Sequence, residues 1–327
     1  MKKRVFSGIQ PSGNLHLGNY LGAIRNWVND QETYDNIFCV VDQHAITVPY
    51  EPPLLKQNVR EVVGLYVAAG LDPEKCTLFV QSHVPEHTEL AWLLTCVTPI
   101  GWLQRMTQFK EKSAGQREKV SAGLFIYPTL MAADILLYQS HGVPVGDDQK
   151  QHVEIARDIA QRFNNLFGDT FVVPEPMIAK VGARVMGLDD PTRKMSKSTE
   201  SRWHSVGLLD EPGAIKKKFA RAVTDSQTEI TFDSTRPGIF NLLTIYQALS
   251  GESEEQIEDA FNGRGYGDLK REAADLVIAT LEPIQKRYRE ITDDPAYITG
   301  LLQQSVARLR PVVDGTISRV REAMGFS

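Results

Sequence analysis

Cysteine is scarce in this chain. It has three, Cys39, Cys76 and Cys96, and none follows residue 96. That odd, scattered set excludes a disulfide framework, and no Cys/His cluster has zinc spacing. All three lie in apolar stretches and read as reduced core residues of a cytoplasmic protein. Long apolar runs are missing too. No run approaches the ~18 residues of a membrane span. The N-terminus, Met1-Lys2-Lys3-Arg4-Val5-Phe6, enters a strand without the apolar region of a signal peptide. There is no repeat and no low-complexity segment. Basic charge is also lacking: the formal net charge is −5, and the segment 206–327 is itself mildly acidic. Overall charge therefore gives no nucleic-acid footprint. Any such contact falls to local patches, Lys216-Lys217-Lys218 with Arg221, or Lys286-Arg287-Arg289, which otherwise read as solvated helix faces.

What is present suits a soluble protein with a sizeable core. The chain has 327 residues, 42% apolar and 24% charged, enough for two domains. Val5-Phe6-Ser7-Gly8-Ile9, Ile37-Phe38-Cys39-Val40-Val41 and Thr77-Leu78-Phe79-Val80 read as buried strands. Between them, Leu54, Val59, Val62, Val63 and Tyr66 line a helix that stops at Gly70. This βαβ rhythm predicts an α/β fold with a Rossmann-like, doubly wound parallel sheet. Its ligands would sit outside the carboxyl ends of the strands, where Gln10, Asp42 to His44 and Gln81 to His83 fall. Residues 98–165 read mostly as helix and loop, a helical insertion. From 206 onward the pattern is all-helical. Ser253-Glu254-Glu255-Gln256 is a capping box, a helix kinked at Pro283 follows, and Asp294-Pro295 opens the next. The expected domains are 1–205 and 206–327.

Two motifs carry the chemistry. Lys194-Met195-Ser196-Lys197-Ser198 sets two ammonium groups three residues apart among hydroxyls. Such a loop suits a polyanion such as a triphosphate, or else is a solvated basic turn. Near the N-terminus, Gln10-Pro11-Ser12-Gly13-Asn14-Leu15-His16-Leu17-Gly18-Asn19 follows the first strand. Helical spacing begins near Leu15, so the free N–H groups of a helix start face the loop, an arrangement that holds anions. His16 and Asn19 are one turn apart, and Gly18 permits close approach to the backbone.

Asp134 stands alone in the apolar run Leu130-Met131-Ala132-Ala133-Asp134-Ile135-Leu136-Leu137-Tyr138. Pro128 suits the first turn of that helix, which places Asp134 too deep to be a cap. A carboxylate there costs several kcal/mol unless paired. It is either a buried acid held by an arginine or backbone donor, or a ligand contact. In Gly146-Asp147-Asp148-Gln149 the acids could simply cap a helix beginning near Gln151. Lys112 is a further phosphate candidate or an exposed helix-end lysine.

Together the two motifs resemble the paired signatures of class I aminoacyl-tRNA synthetases, known as HIGH and KMSKS. The first reads His16-Leu17-Gly18-Asn19 here, and the second matches at all five positions, 194 to 198. Phe6 to Gly13, Val41 to Thr47, Arg105 to Lys110, Leu130 to Tyr138, Pro144 to His152, Val181 to Met186 and Ala222 to Ser226 are similar to the bacterial tryptophan-activating branch. The resemblance spans nearly the whole chain. It implies that L-tryptophan is joined to ATP, carried with Mg²⁺, and then passed to tRNA(Trp). No metal ligand from a protein side chain is implied, and the iron–sulfur site of some relatives is not expected. His16, Asn19, Lys112, Lys194 and Lys197 would be catalytic. Gln10, Pro11, Ser12, Gly18, Gly146, Asp147, Asp148, Val185, Met195, Ser196 and Ser198 would complete the ATP site. Asp134 would accept the indole N–H, with Phe6, Val41, His44, Met131 and Gln149 in the tryptophan pocket and Gln149 or Tyr127 at the substrate's amino group. The insertion would form a homodimer interface, and 206–327 would bind the anticodon.

Tyrosine-specific relatives share both signatures, but the Leu130–Tyr138 helix and the 146–149 loop follow the tryptophan pattern. A regulatory paralogue would have lost signature residues. A small-molecule nucleotidyltransferase would not need the helical segment. Two departures stand out. Thr199-Glu200-Ser201-Arg202-Trp203-His204 replaces the Asp-Pro-Asn continuation of many relatives, and Pro99 and Trp102 replace Tyr and Glu.

Overall fold

A computed structural model describes residues 2–11, 13–106, 121–145, 150–178, 183–196, 199 and 201–326. Its centre is a parallel sheet of five strands: β1 (Arg4–Ile9), β2 (Asp35–Val40), β3 (Thr77–Val80), β4 (Gly142–Val145) and β5 (Glu175–Ile178). The spatial order is β3-β2-β1-β4-β5. The chain winds one way through β1, β2 and β3 and the other way through β4 and β5, so the switch point lies between β1 and β4. The fold is the doubly wound α/β arrangement that the strand pattern predicts. Two strands escaped the sequence reading, β4 and β5. The stretch 98–165, read as helix and loop, contains β4, a four-residue strand interrupted by Pro144. Its pairing with β1 is confined to Val5 and Gly142, so the missing N–H of Pro144 breaks no bond to β1.

Strand residues alternate between two apolar layers. Phe38, Val40, Leu78 and Val80 face one, packed by α4 (Pro52–Ala68) and the helices after residue 206. Ile37, Cys39 and Phe79 face the other, packed by α5 (Glu86–Val97), α7 (Ala122–Leu136) and α8 (Lys150–Phe167). Gly70 ends α4 with φ +115°, a conformation that favours glycine. Between α5 and α7 lies the short α6 (Ile100–Gln104). Cys39 and Cys76 are buried as expected, but Cys96 is exposed. The reason is its place on α5, which buries Leu90, Leu93 and Leu94 and leaves Cys96 off that stripe.

The HIGH-like element begins α1 (Leu17–Asn19), continues as a π-helical stretch (Tyr20–Ile24) and ends as α2 (Arg25–Asp30). A short α3 (Asp42–Ala45) follows β2. After residue 206 come α9 (Pro212–Ala220), α10 (Pro237–Ser250), α11 (Glu254–Phe261), α12 (Tyr266–Thr292) and α13 (Pro295–Met324). The Ser253/Gln256 capping box opens α11, and Asp294 caps α13. The α12 helix runs through Pro283 as one element. The last helix serves both layers: Ile298 and Leu301 join the first, Leu309, Val313 and Ile317 the second. Bidentate pairs lash it to α5. Arg310 holds Glu86 at 2.7 and 3.1 Å, and Arg321 holds Glu89 at 2.6 and 2.7 Å.

Candidate active site at the switch point of the sheet

A cavity of about 360 Å³ opens at the carboxyl ends of β1 and β4, within the size range of small-ligand sites. Phe6, Gly8 and Gln10 reach it from β1 and the turn beyond, and Val143 to Val145 from β4. Val41 and His44 close one side; Tyr127, Met131 and Asp134 project from α7, and His152 from α8. The geometry thus brings together Phe6, Val41, His44, Met131, Asp134 and Tyr127, all expected from sequence. Gln149 lies outside the described residues.

Asp134 is the charged group of this wall, and its carboxylate is only 1% exposed. Oδ1 accepts from Gln81 Nε2 and His87 Nδ1, each at 2.6 Å, and Oδ2 accepts from His44 Nε2 at 2.8 Å. Gln81 is held in turn, because its Oε1 accepts the Gln43 N–H at 3.1 Å. His87 Nε2 meets the Tyr138 hydroxyl at 2.7 Å. Burial drives the Tyr138 phenol well above its ordinary range, so it stays an O–H donor to His87. A neutral His87 then donates from Nδ1 to Asp134, and every group in the chain is satisfied. Burial also pushes the Asp134 carboxyl up. The charge of His44 and the hydrogen bonds from His44 and His87 outweigh that and hold it below its ordinary value. Asp134 is therefore a buried, ionised acceptor. Oδ1 is taken twice, while Oδ2 has one protein donor and acceptor capacity to spare.

Two expectations about this helix need correction. The partners of Asp134 are two imidazoles and a carboxamide, not arginine or backbone. Pro128 is not in the first turn; Ser121 caps the helix, its Oγ accepting the Leu124 N–H at 3.1 Å, and Pro128 sits buried mid-helix. Sequence reading passed over His87 and His152. His87 lies on a helix from another part of the sheet, and only the fold brings it to Asp134. His152 receives or donates a 2.8 Å bond with the Tyr127 hydroxyl, whose proton burial pushes up to about 12.

The HIGH-like element is stitched to residues 206–208, which follow the second signature. Leu17 N–H donates to Val206 O at 2.8 Å, and Leu208 N–H to Leu15 O at 2.8 Å. His16 thus bridges Gly207 in a short antiparallel pairing. Asn19 Oδ1 accepts the His16 N–H at 3.0 Å, which leaves the Asn19 carboxamide N–H₂ as a donor. Lys194 pairs with Met186, and Met195 N–H donates to Val185 O at 3.0 Å. Met195 and Val185 are buried, and the Lys194 side chain is exposed. A Cβ on Gly18 would stand 3.0 Å from His16 Nδ1 and 3.5 Å from Met195 Cβ. That glycine is where the elements touch. On the far side, Asn241 of α10 grips Met186, accepting its N–H at 2.8 Å and donating to its carbonyl at 3.0 Å. Pro11 is buried and Ser196 is half-buried. Ser12, Lys112, Gly146, Asp147, Asp148, Lys197 and Ser198 lie outside the described residues.

The first basic patch is largely spent inside the molecule. Lys216 pairs with Asp275 at 3.0 Å, Lys218 with Asp210 at 2.5 Å, and Arg221 stacks 4.1 Å over the Trp203 ring. Lys286, Arg287 and Arg289 are exposed on α12. No helix among the described residues is long and apolar enough to cross a membrane.

A doubly wound parallel sheet, with a His-x-Gly-Asn turn in contact with Met195 of a Lys-Met-Ser-Lys-Ser sequence, defines a class I aminoacyl-tRNA synthetase. The chain belongs to the tryptophan and tyrosine branch of that class: the family model "tRNA synthetases class I (W and Y)" matches residues 1–282. Within the branch its relatives are specific. It is 56% identical to the tryptophan–tRNA ligase of Helicobacter pylori strain 26695 over 99% of both chains. Tryptophanyl-tRNA synthetase from Mycoplasma pneumoniae superposes with a TM-score of 0.89 at 38% identity, covering 100% of this chain and 99% of that one. The Campylobacter jejuni enzyme, solved with ADP and tryptophan, gives 0.86 at 36% identity over 98% and 99%.

Proposed function

We propose that this chain is a tryptophan–tRNA ligase. It activates L-tryptophan with ATP to tryptophanyl-adenylate and pyrophosphate, then transfers the tryptophanyl group to the terminal ribose 2′-hydroxyl of tRNA(Trp). The observation that carries the substrate is Asp134, a buried ionised acceptor in an otherwise apolar wall. An indole N–H is a donor without acceptor capacity, so it fits the spare position on Oδ2. A phenylalanine ring would leave that spare position on Oδ2 without a donor, which a buried site penalises. The names of the full-length relatives support the same choice.

The tryptophan carboxylate attacks the α-phosphorus and pyrophosphate departs, so no protein nucleophile is required. Positioning and charge neutralisation do the work. His16, the Asn19 carboxamide, Lys112, Lys194 and Lys197 face the phosphates. Gln10, Pro11, Ser12, Gly18, Val185, Met195, Ser196 and Ser198 shape the nucleotide site, with Gly146, Asp147 and Asp148 at the ribose. Gln149 and Tyr127 meet the substrate's amino group. Mg²⁺ arrives on the triphosphate.

Exposed Trp92, Ile100 and Ile126 lie on α5, α6 and α7. They supply an apolar surface for a homodimer, while Lys286, Arg287 and Arg289 supply charge for tRNA. The reaction belongs in the cytoplasm. The test is ATP–pyrophosphate exchange with each of the amino acids. Exchange with tryptophan alone supports the reading, and equal exchange with tyrosine overturns it.

A further inference from the structure

The segment that departs from the family pattern ends in His204, whose side chain is 2% exposed. Its Nδ1 lies 2.7 Å from Asp189 Oδ1, and its Nε2 lies 3.2 Å from the backbone carbonyl of Lys194. Ser201 Oγ donates to the other oxygen of the same aspartate. The backbone closes the clasp, with Leu188 N–H donating to His204 O at 3.1 Å and Gly187 N–H to Arg193 O at 2.8 Å. Gly187 lies flat against the imidazole, and a Cβ there would overlap the ring. Burial pushes the Asp189 carboxyl up, but the bonds from Ser201 and His204 prevail and hold it below its ordinary value. One ring thus joins an ionised turn to the first lysine of the pentapeptide. Two residues further on, Val206 and Gly207 engage the HIGH-like element.

A buried histidine with both nitrogens engaged is commonly a satisfied core residue. Here one of the two partners is a backbone atom of Lys194, whose own side chain is exposed. Lysine is a point charge on a flexible stem, so fixing its backbone narrows the volume its ammonium must search. We propose that His204 is a positioning residue for amino-acid activation, acting through the Lys194 carbonyl to hold that lysine toward the triphosphate. This rests on the reading of the chain as an ATP-dependent amino-acid activator.

The experiment is a double-mutant cycle in ATP–pyrophosphate exchange with the full chain, using His204→Ala, Lys194→Ala and the pair, with melting curves to verify folding. His204→Ala is expected to lower kcat about tenfold and leave the KM for tryptophan unchanged. In the Lys194→Ala background the same change should cost less than about twofold, because coupled residues are not additive. His204→Gln, whose carboxamide N–H can reach the Lys194 carbonyl, should recover most of the rate. If His204→Ala melts, Asp189→Asn replaces it in the cycle, with a loss of about threefold expected from the weakened charge-assisted bond. Losses that multiply across the cycle, or a tryptophan KM that rises as far as kcat falls, would overturn the proposal. Exchange driven by a different amino acid would overturn the tryptophan assignment, and the same cycle run with that substrate would still decide His204.

Discussion

Gln81 Nε2 lies 2.6 Å from Oδ1 of Asp134, and the Gln81 carbonyl is itself fixed by the Gln43 N–H. The contact ties the residue after β3 to the C-terminal end of α7. With His87 on the same oxygen, it sets the carboxylate's rotamer and leaves Oδ2, shared with His44, with acceptor capacity to spare.

Replacing Asp134 with asparagine keeps the shape but loses the charged acceptor. The KM for tryptophan should rise about 100-fold, the effect of losing a hydrogen bond to a buried charge. The KM for ATP should move less than about twofold on the same scale. Steady-state exchange with each substrate varied in turn checks this; an unchanged tryptophan KM removes Asp134 from the pocket.

The same carboxylate makes stability depend on pH. Its value in the folded chain is depressed, so its ionisation favours the folded state fully above about pH 4, the ordinary aspartate value. The contribution fades as pH falls through the lower folded value. The melting-temperature gap between wild type and Asp134→Asn should therefore be widest near neutrality and shrink below about pH 4. A gap independent of pH contradicts the ionised assignment.

Gly18→Ala tests the contact between the signatures. The added methyl would crowd His16 Nδ1 at 3.0 Å and Met195 Cβ at 3.5 Å. Exchange kcat should fall about tenfold, some 1.4 kcal/mol in the barrier. Tryptophan binding, read by fluorescence quenching or calorimetry, should stay as it was. Equal damage to both would mean that the substitution disturbs the sheet at large.

The exposed Lys286, Arg287 and Arg289 face of α12 separates the two half-reactions. Alanine at all three should leave pyrophosphate exchange intact and weaken tRNA charging, with a shallower dependence of KM for tRNA on salt. Charging equal to wild type at every salt concentration would exclude this face.

Much of this was legible in the chain. Continuous apolar runs gave away β1, β2 and β3, and a lone aspartate in an apolar helix announced a buried carboxylate that needs partners. Its partners did not announce themselves. Gln81 and His87 are polar residues near the end of β3 and the start of α5, with nothing local to link them to position 134, and parallel pairing supplies the link. Strand β4 was lost because four residues with a proline carry no periodicity. Pro128 misled because proline most often opens a helix, whereas Ser121 had already done so. Residues 201–204 looked like an unexplained departure until the fold placed His204 between Asp189 and Lys194.

The central claim is that Asp134 reads the indole N–H. The direct test compares tryptophan with its benzothiophene isostere, in which sulfur replaces that N–H at nearly constant shape. Wild-type kcat/KM in pyrophosphate exchange should favour tryptophan by about 100-fold or more, and Asp134→Asn should erase most of the preference. Equal kcat/KM for the two substrates in the wild-type chain would contradict the account.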